Sequence, residues 1–113
     1  MAAIANLRIE QGATFTSDVT VKDANGDVFD LTGYTASAKM ALGYASTRTR
    51  VAFSVAIGTP TTGVITLTLS ADQTNALEAP ARYVYDVEIL RTSDSTITRV
   101  IEGIITVSPS VTV

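Results

Sequence analysis

The 113-residue sequence contains 46% hydrophobic and only 17% charged residues, which is the composition of one folded domain. It has no Cys and no His, which excludes disulfides, thiolate chemistry, the usual base near neutral pH and the commonest transition-metal ligand. Because the formal net charge is −3, nucleic acid is not an expected partner. The start of the chain lacks the basic and apolar regions of a signal peptide, and no apolar run is long enough to cross a membrane, so we expect no membrane partner.

The dominant hydrophobic period is two, with apolar residues alternating with Thr, Ser or Ala. This alternation predicts seven strands, near residues 4–9, 13–22, 35–42, 50–57, 64–69, 82–91 and 96–107. Turn residues separate these segments: Asn25-Gly26 is a hairpin signal, 58–63 reads as a loop, and 92–95 is a polar turn.

One short helix is predicted over residues 70–77, between the fifth and sixth strands. Ser70 and Gln73 form a capping-box pattern there, and Pro80 stops any continuation. Seven short antiparallel strands in about 100 residues are typical of an immunoglobulin-like sandwich, with a small barrel as the alternative. We therefore predict an all-β, immunoglobulin-like antiparallel β-sandwich of seven to eight strands, a single domain over 1–113 with 108–113 as an extended C-terminal tail.

The last two long strands are apolar on both faces. One face of the sixth strand carries Tyr83, Tyr85, Val87 and Ile89, and one face of the seventh carries Ile97, Ile101, Ile105 and Val107. Such strands are covered on both sides, either by a central position in the sheet or by an intersubunit contact. Tyr83 also lies where immunoglobulin-like sandwiches often carry a corner tyrosine, just after the helical turn. The predicted core comprises Phe15, Val19, Phe53, Val55, Ile65, Leu67, Leu69, Tyr85, Val87 and Ile105.

Four phrases of the sequence carry a resemblance to a known class of protein. They are Leu7–Gly12, Asp30–Tyr34, Arg82–Val87 and Thr98–Gly103. In this order and spacing the chain resembles small virion modules of tailed, cyanophage-like bacteriophages. It is also similar to the N-terminal immunoglobulin-like domain of upper baseplate proteins of the BppU type.

The resemblance implies a non-enzymatic structural protein of a tailed-phage virion, assembled in the bacterial host cytoplasm. Upper baseplate proteins continue beyond such a module, so for this chain a capsid decoration or cement protein is the first expectation, and a tail or baseplate component is the alternative. The implied partners are the major capsid protein or tail and baseplate proteins, together with further copies of the chain in a multi-copy lattice or homo-oligomer. No cofactor is implied.

Two acidic clusters are candidate sites that also have structural interpretations. Residues 23–27 place carboxylate and amide oxygens at alternate positions, which fits either calcium or an acidic hairpin turn. Asp86 and Glu88 lie on one strand face, which fits either acid–base chemistry or a solvated ladder with Arg82 or Arg99. Glu102 is expected to form a structural ion pair with Arg99 or with a neighbouring subunit.

The chain offers no nucleophile with a plausible base, because His is absent and only Lys22 and Lys39 could pair with a Ser. We therefore predict no catalytic residue, no metal and no cofactor. A second function class, a carbohydrate-binding or adhesion module, is disfavoured by the absence of Trp and the presence of only four Tyr.

The predicted partner contacts lie in one loop and in the tail. The loop holds a tyrosine beside two arginines, residue types that are favoured in interfaces, and the tail alternates valines with polar residues as an added strand would. The residues are Tyr44, Arg48, Arg50, Val111 and Val113.

Overall fold

The computed structural model describes residues 3–43, 50–109 and 111, which form two β-sheets packed face to face. In chain order the elements are β1 (Ala3–Ile4), β2 (Leu7–Glu10), β3 (Phe15–Thr20), β4 (Tyr34–Ala41), β5 (Val51–Ala52), β6 (Ser54–Ile57), a 3₁₀ turn (Pro60–Thr62), β7 (Val64–Leu69), α1 (Ala71–Asn75), β8 (Ala81–Arg91) and β9 (Thr96–Ser108). Each predicted strand segment is found, two of them divided into two pieces. The predicted all-β, immunoglobulin-like sandwich with one short helix is confirmed.

The large sheet has the order β1-β9-β8-β4-β5, with β2 also pairing with β9, and the small sheet has the order β3-β7-β6. Neighbouring strands are antiparallel except at one edge, where β1 and β2 run parallel to β9. These strands come from opposite ends of the sequence, so no hairpin fixes their relative direction. Strands β8 and β9 therefore occupy the centre of the large sheet, one of the two arrangements that their apolar sequences predict.

The first predicted strand is broken at Ala5 and Asn6, where the chain crosses close to β9. The Ala5 N–H donates to the carbonyl oxygen of Glu102 at 2.9 Å, and the Asn6 Oδ1 accepts from the Ile104 N–H at 3.0 Å. Gly103 lies between these two bonds, and a Cβ there would collide with the Ala5 carbonyl oxygen. The absence of a side chain at Gly103 is what lets the two backbones approach.

The fourth predicted strand is broken at Phe53, where the chain passes from one sheet to the other. Strand β5 pairs with β4 in the large sheet, and β6 pairs with β7 in the small sheet. The Phe53 N–H donates to the Ala38 carbonyl oxygen at 3.0 Å, and its ring packs between the sheets, 6.0 Å from Phe15 and 6.4 Å from Tyr85 between centroids. The alternating pattern continues through the break, so the sequence alone shows one strand.

The predicted core residues lie between the sheets: all are buried except Val55, which is partly buried against the same cluster. The prediction that Ile97 shares one strand face with Ile101, Ile105 and Val107 is wrong. Val87 pairs with Ile101 and Glu88 pairs with Arg99, which leaves Val100 as the extra residue of a β-bulge. The bulge inverts the alternation, and Ile97 points outward with 64% of its surface exposed.

The short helix α1 closes one end of the sandwich through its cap and one buried threonine. The capping box is present: the Gln73 N–H donates to Ser70 Oγ at 3.2 Å, and the Ser70 N–H donates to Gln73 Oε1 at 2.8 Å. The fully buried Thr74 hydroxyl accepts from the Gly12 N–H at 3.1 Å and donates to the Ala13 carbonyl oxygen at 2.8 Å. The helix is thereby fixed to the turn that follows β2.

Tyr83 has the geometry of an immunoglobulin corner tyrosine. Its buried ring begins the inner face of β8, and its hydroxyl accepts a 2.9 Å hydrogen bond from the N–H of Glu78, five residues upstream. Two residues later, at the position where antibody domains place their second disulfide cysteine, the sandwich has Tyr85. This corner and the sheet order place the chain in the immunoglobulin-like class on structural grounds.

Candidate interaction surface

The phrases that carry the sequence resemblance occupy turns and strands of the framework. In Asp30–Tyr34, Asp30 Oδ1 accepts from both the N–H and the hydroxyl of Thr32, at 2.9 and 2.6 Å, and these bonds lower the pKa of Asp30. Leu31 anchors the turn in the core, and Gly33 takes a φ of +80°. Each residue of this phrase has a structural role in starting β4.

The predicted contact residues are only partly covered by the described chain. Tyr44, Arg48 and Val113 lie outside the described residues. Arg50 is exposed, and its Nη1 donates to the Gly43 carbonyl oxygen at 3.1 Å. Val111 is fully exposed beyond β9. The assignment of these five residues to a partner contact stays a prediction.

The acidic turn at residues 23–27 uses its first carboxylate to hold its own backbone. Asp23 Oδ1 accepts from the N–H groups of Asn25 and Asp27 at 2.9 and 3.1 Å, and Gly26 takes a φ of +86°. Among the described residues, no three acidic side chains come together in the manner of a metal site. These hydrogen bonds are those of an acidic hairpin turn, which is the structural alternative to a calcium site.

The second acidic cluster lies on the open outer side of the large sheet. Arg99 Nε contacts Asp86 Oδ2 at 3.3 Å, and Arg99 Nη1 contacts Glu102 Oε1 at 3.6 Å. A depression beside Asp86 has a volume of about 140 Å³, whereas ligand pockets usually measure about 300–1,000 Å³. Because these side chains are half-exposed, their ion pairs contribute little to stability, and the cluster is a solvated ladder of charges.

The same side of the large sheet also exposes three isoleucines. We call this surface the outer face and define it by the outward residues of β1, β4, β8 and β9. The exposed fractions are 76% for Ile4, 64% for Ile97 and 42% for Ile104. The alternating sequence pattern does not predict this surface, because the bulge reverses the direction in which Ile97 points. The sequence feature that could have indicated the bulge is the run Arg99-Val100-Ile101, where the alternation fails.

The outer side of the small sheet has a different character. Its strand residues are mainly Thr, Ser, Ala and Asp, and they bond to one another: the Thr66 hydroxyl donates to Asp18 Oδ1 at 2.7 Å, and the Thr16 and Thr68 hydroxyls lie 3.5 Å apart. The two sides of the sandwich therefore differ: the small sheet presents short polar side chains, and the large sheet presents exposed isoleucines together with charged side chains.

Tyr85 links the core to the N-terminal crossing and gives the fold an expected pH dependence. Its hydroxyl donates to the Ala5 carbonyl oxygen, and burial raises the pKa of Tyr85 to about 12. Since the pKa in the folded state lies above the ordinary value of 10.0, this group's stabilisation is complete below pH 10 and is lost as the pH rises toward 12.

We expect Tyr85→Phe to lower stability by about 1 kcal/mol at neutral pH, because the Ala5 carbonyl oxygen loses its donor. The variant should also lose less stability than the parent protein when the pH is raised from 10 toward 12. Urea unfolding across this pH range measures both effects. Tyr34→Phe is the control: it removes a hydroxyl at the protein surface and should lose as much stability between pH 10 and 12 as the parent protein. If Tyr85→Phe also lost as much stability as the parent, the Tyr85 hydroxyl would not be the source of the pH dependence.

Comparison with known proteins finds similar folds among solved structures but no related sequence. No family model matches the chain, and no curated protein matches it. Among solved structures, the chain is similar to NK cell receptor NKp44, a triggering partner in natural cytotoxicity, with 14% identity and a TM-score of 0.48 over 96% of this chain and 99% of that chain. It is also similar to the filamin domain of Lin-41, with 14% identity and a TM-score of 0.37 over 82% of this chain and 81% of that chain. The fold assignment rests on the sheet order and on the corner formed by Tyr83.

No helix in the described part of the chain combines the length and the hydropathy that a bilayer-spanning segment needs.

Proposed function

We propose that this chain is a non-enzymatic structural module of a tailed-phage virion that works in many copies. The observation that carries the proposal is the ordered set of four phrases from Leu7–Gly12 to Thr98–Gly103, which resembles virion modules in order and spacing. Capsid decoration or cement is the first assignment, and a tail or baseplate position is the second. The proposed partners are the major capsid protein or tail and baseplate proteins.

The chemistry of the described residues supports a role without catalysis. The chain has no His or Cys, and Asp86 is engaged by Arg99 on an open sheet face instead of lying in a cleft. A carbohydrate-binding role is less well supported, because sugar sites usually present a free aromatic face. The rings of Phe15, Phe53, Tyr83 and Tyr85 are buried, and Phe29 packs edge-on against Tyr34.

Quantitative mass spectrometry of purified virions tests the proposal. A decoration or cement protein should be present in copies comparable to the major capsid protein, whereas a tail or baseplate component should be far less abundant. Absence of the chain from virions would overturn the function itself.

The same particles test the predicted contact residues. We expect incorporation to fall when Arg48 and Arg50 are both replaced by Ala, and when residues 109–113 are deleted. The deletion begins after Ser108, because that residue still pairs with Glu10 in the sheet. Circular dichroism of each variant controls for folding, and normal incorporation of both would refute the contact assignment.

A further inference from the structure

On the outer face, apolar and charged residue pairs follow one another along β8 and β9 in a symmetric order. On the outward side of β8 and β9, a charged and polar row of Arg82 with Thr106 lies at one end. The four rows that follow it are Val84 with Ile104, Asp86 with Glu102, Glu88 with Arg99, and Leu90 with Ile97. The order is apolar, charged, charged, apolar, and it reads the same in both directions. The two apolar rows lie about 20 Å apart, from six residues at roughly 3.3 Å each.

We propose that the outer face is the interface of a two-fold symmetric dimer, with a second copy of this chain as its occupant. The inference deepens the proposed multi-copy role and rests on it. The axis lies in the plane of the interface, perpendicular to the strands, between the two charged rows. In such an isologous contact each patch meets its own counterpart, so a residue i that touches j implies that j touches i.

This axis brings apolar residues together in the apolar rows, and in the central rows it places the oppositely charged residues of β9 against each other. Ile97 of one copy meets Ile104 of the other, and Leu90 meets Val84. Arg99 meets Glu102 twice, once on each side of the axis. Within one chain Arg99 already lies 3.6 Å from Glu102 and 3.3 Å from Asp86, so the dimer extends an existing ion pair into a network.

This arrangement also has a repulsive contact, which occurs twice, once on each side of the axis, and which a neighbouring strand offsets. Asp86 would approach Glu88 of the second copy across the axis. Lys39 of β4 is the register partner of Asp86 and stands beside it on the same face. Lys39 therefore adds a positive charge beside each such pair of carboxylates, which offsets part of their repulsion.

The dimensions of the face suit a stable dimer. The four strands of the outer face, β1, β4, β8 and β9, contain 2, 8, 11 and 13 residues, which at about 3.3 Å per residue and about 4.8 Å per strand cover roughly 540 Å² per copy. Two copies would bury roughly 1,080 Å², which clears the roughly 1,000 Å² expected of a specific interface. Face-to-face packing of two sheets is also an established way to bury such strands.

Sedimentation velocity of the purified chain tests the inference directly. We expect a concentration-dependent dimer with a dissociation constant in the micromolar range or below. Ile97→Glu and Ile104→Glu should each weaken the dimer at least about tenfold, because each places a charge in an apolar row. Val28→Glu is the matched control, since Val28 is 51% exposed but lies on the 23–28 turn outside the outer face, and it should leave the dimer unchanged.

Charge reversal gives a second, independent readout. Arg99→Glu and Glu102→Arg should each weaken the dimer, and the double variant should recover most of the lost affinity, because the symmetric pair is rebuilt with opposite polarity. Melting temperatures of the same variants separate dimer loss from unfolding. A double variant that is no tighter than either single variant would contradict the assigned pairing.

The outcomes separate this inference from the proposed function. A chain that stays monomeric up to about 100 μM, or a dimer insensitive to Ile97→Glu and Ile104→Glu, overturns the inference even if the protein is abundant in virions. Binding of a different virion protein to this face, without self-association, overturns it as well. A dimer of a chain that is absent from virions would uphold the interface and refute the virion role.

Discussion

Replacing Phe53 by alanine should lower the free energy of unfolding by about 3–5 kcal/mol. The ring is 94% buried, since its exposed fraction is 6%, and it fills the space where the chain passes between the sheets. It contacts rings from both layers, Phe15 of the small sheet at 6.0 Å and Tyr85 of the large sheet at 6.4 Å. Its removal would leave a cavity at the junction of the two sheets, where neither layer can close without moving the other.

Urea unfolding followed by circular dichroism measures this loss. Phe29→Ala is the matched control, because the Phe29 ring is only partly buried and packs edge-on against Tyr34 at the rim of the core. We expect a clearly smaller loss for the control. A loss below roughly 1 kcal/mol in Phe53→Ala would mean that the ring does not carry the contact between the sheets.

Replacing Gly103 by alanine should destabilise the protein by about 1–3 kcal/mol or more. The new Cβ would collide with the Ala5 carbonyl oxygen and lie 3.1 Å from Asn6 Oδ1. Both atoms belong to the crossing between β1 and β2, so the N-terminal segment must move away from β9. The hydrogen bonds from Ala5 to Glu102 and from Ile104 to Asn6 would be strained or lost.

Hydrogen exchange localises this effect, and chemical unfolding gives its size. Faster exchange of the Ala5 and Ile104 amides, with little change in the small sheet, is the expected pattern. Gly58→Ala is the control, because a Cβ at Gly58 meets nothing within 4 Å. Equal stability of the two variants would show that the close approach at Gly103 does not constrain the fold.

The strands and the helix cap follow from the sequence because their signals are local. Alternation within β7 fixes which of its residues face inward, and Ser70 with Gln73 fixes where α1 begins. The corner position of Tyr83 was also predictable, since it depends on its distance from the helical turn and from Tyr85. The loop and tail residues proposed as contacts, such as Arg48 and Val113, stay predictions that rest on residue type alone.

What the sequence by itself determined is thus the all-β class, the strand segments, the turns and most of the core, since each depends on residues within a few positions of one another. The tertiary structure alone decided the parallel edge beside β9, the change of sheet at Phe53 and the bulge at Val100, because these depend on the register between strands that are distant in sequence. A single extra residue in β9 inverts every side chain beyond it. That inversion moves Ile97 from the face that it was predicted to share with Ile101 to the exposed outer face on which the proposed dimer rests.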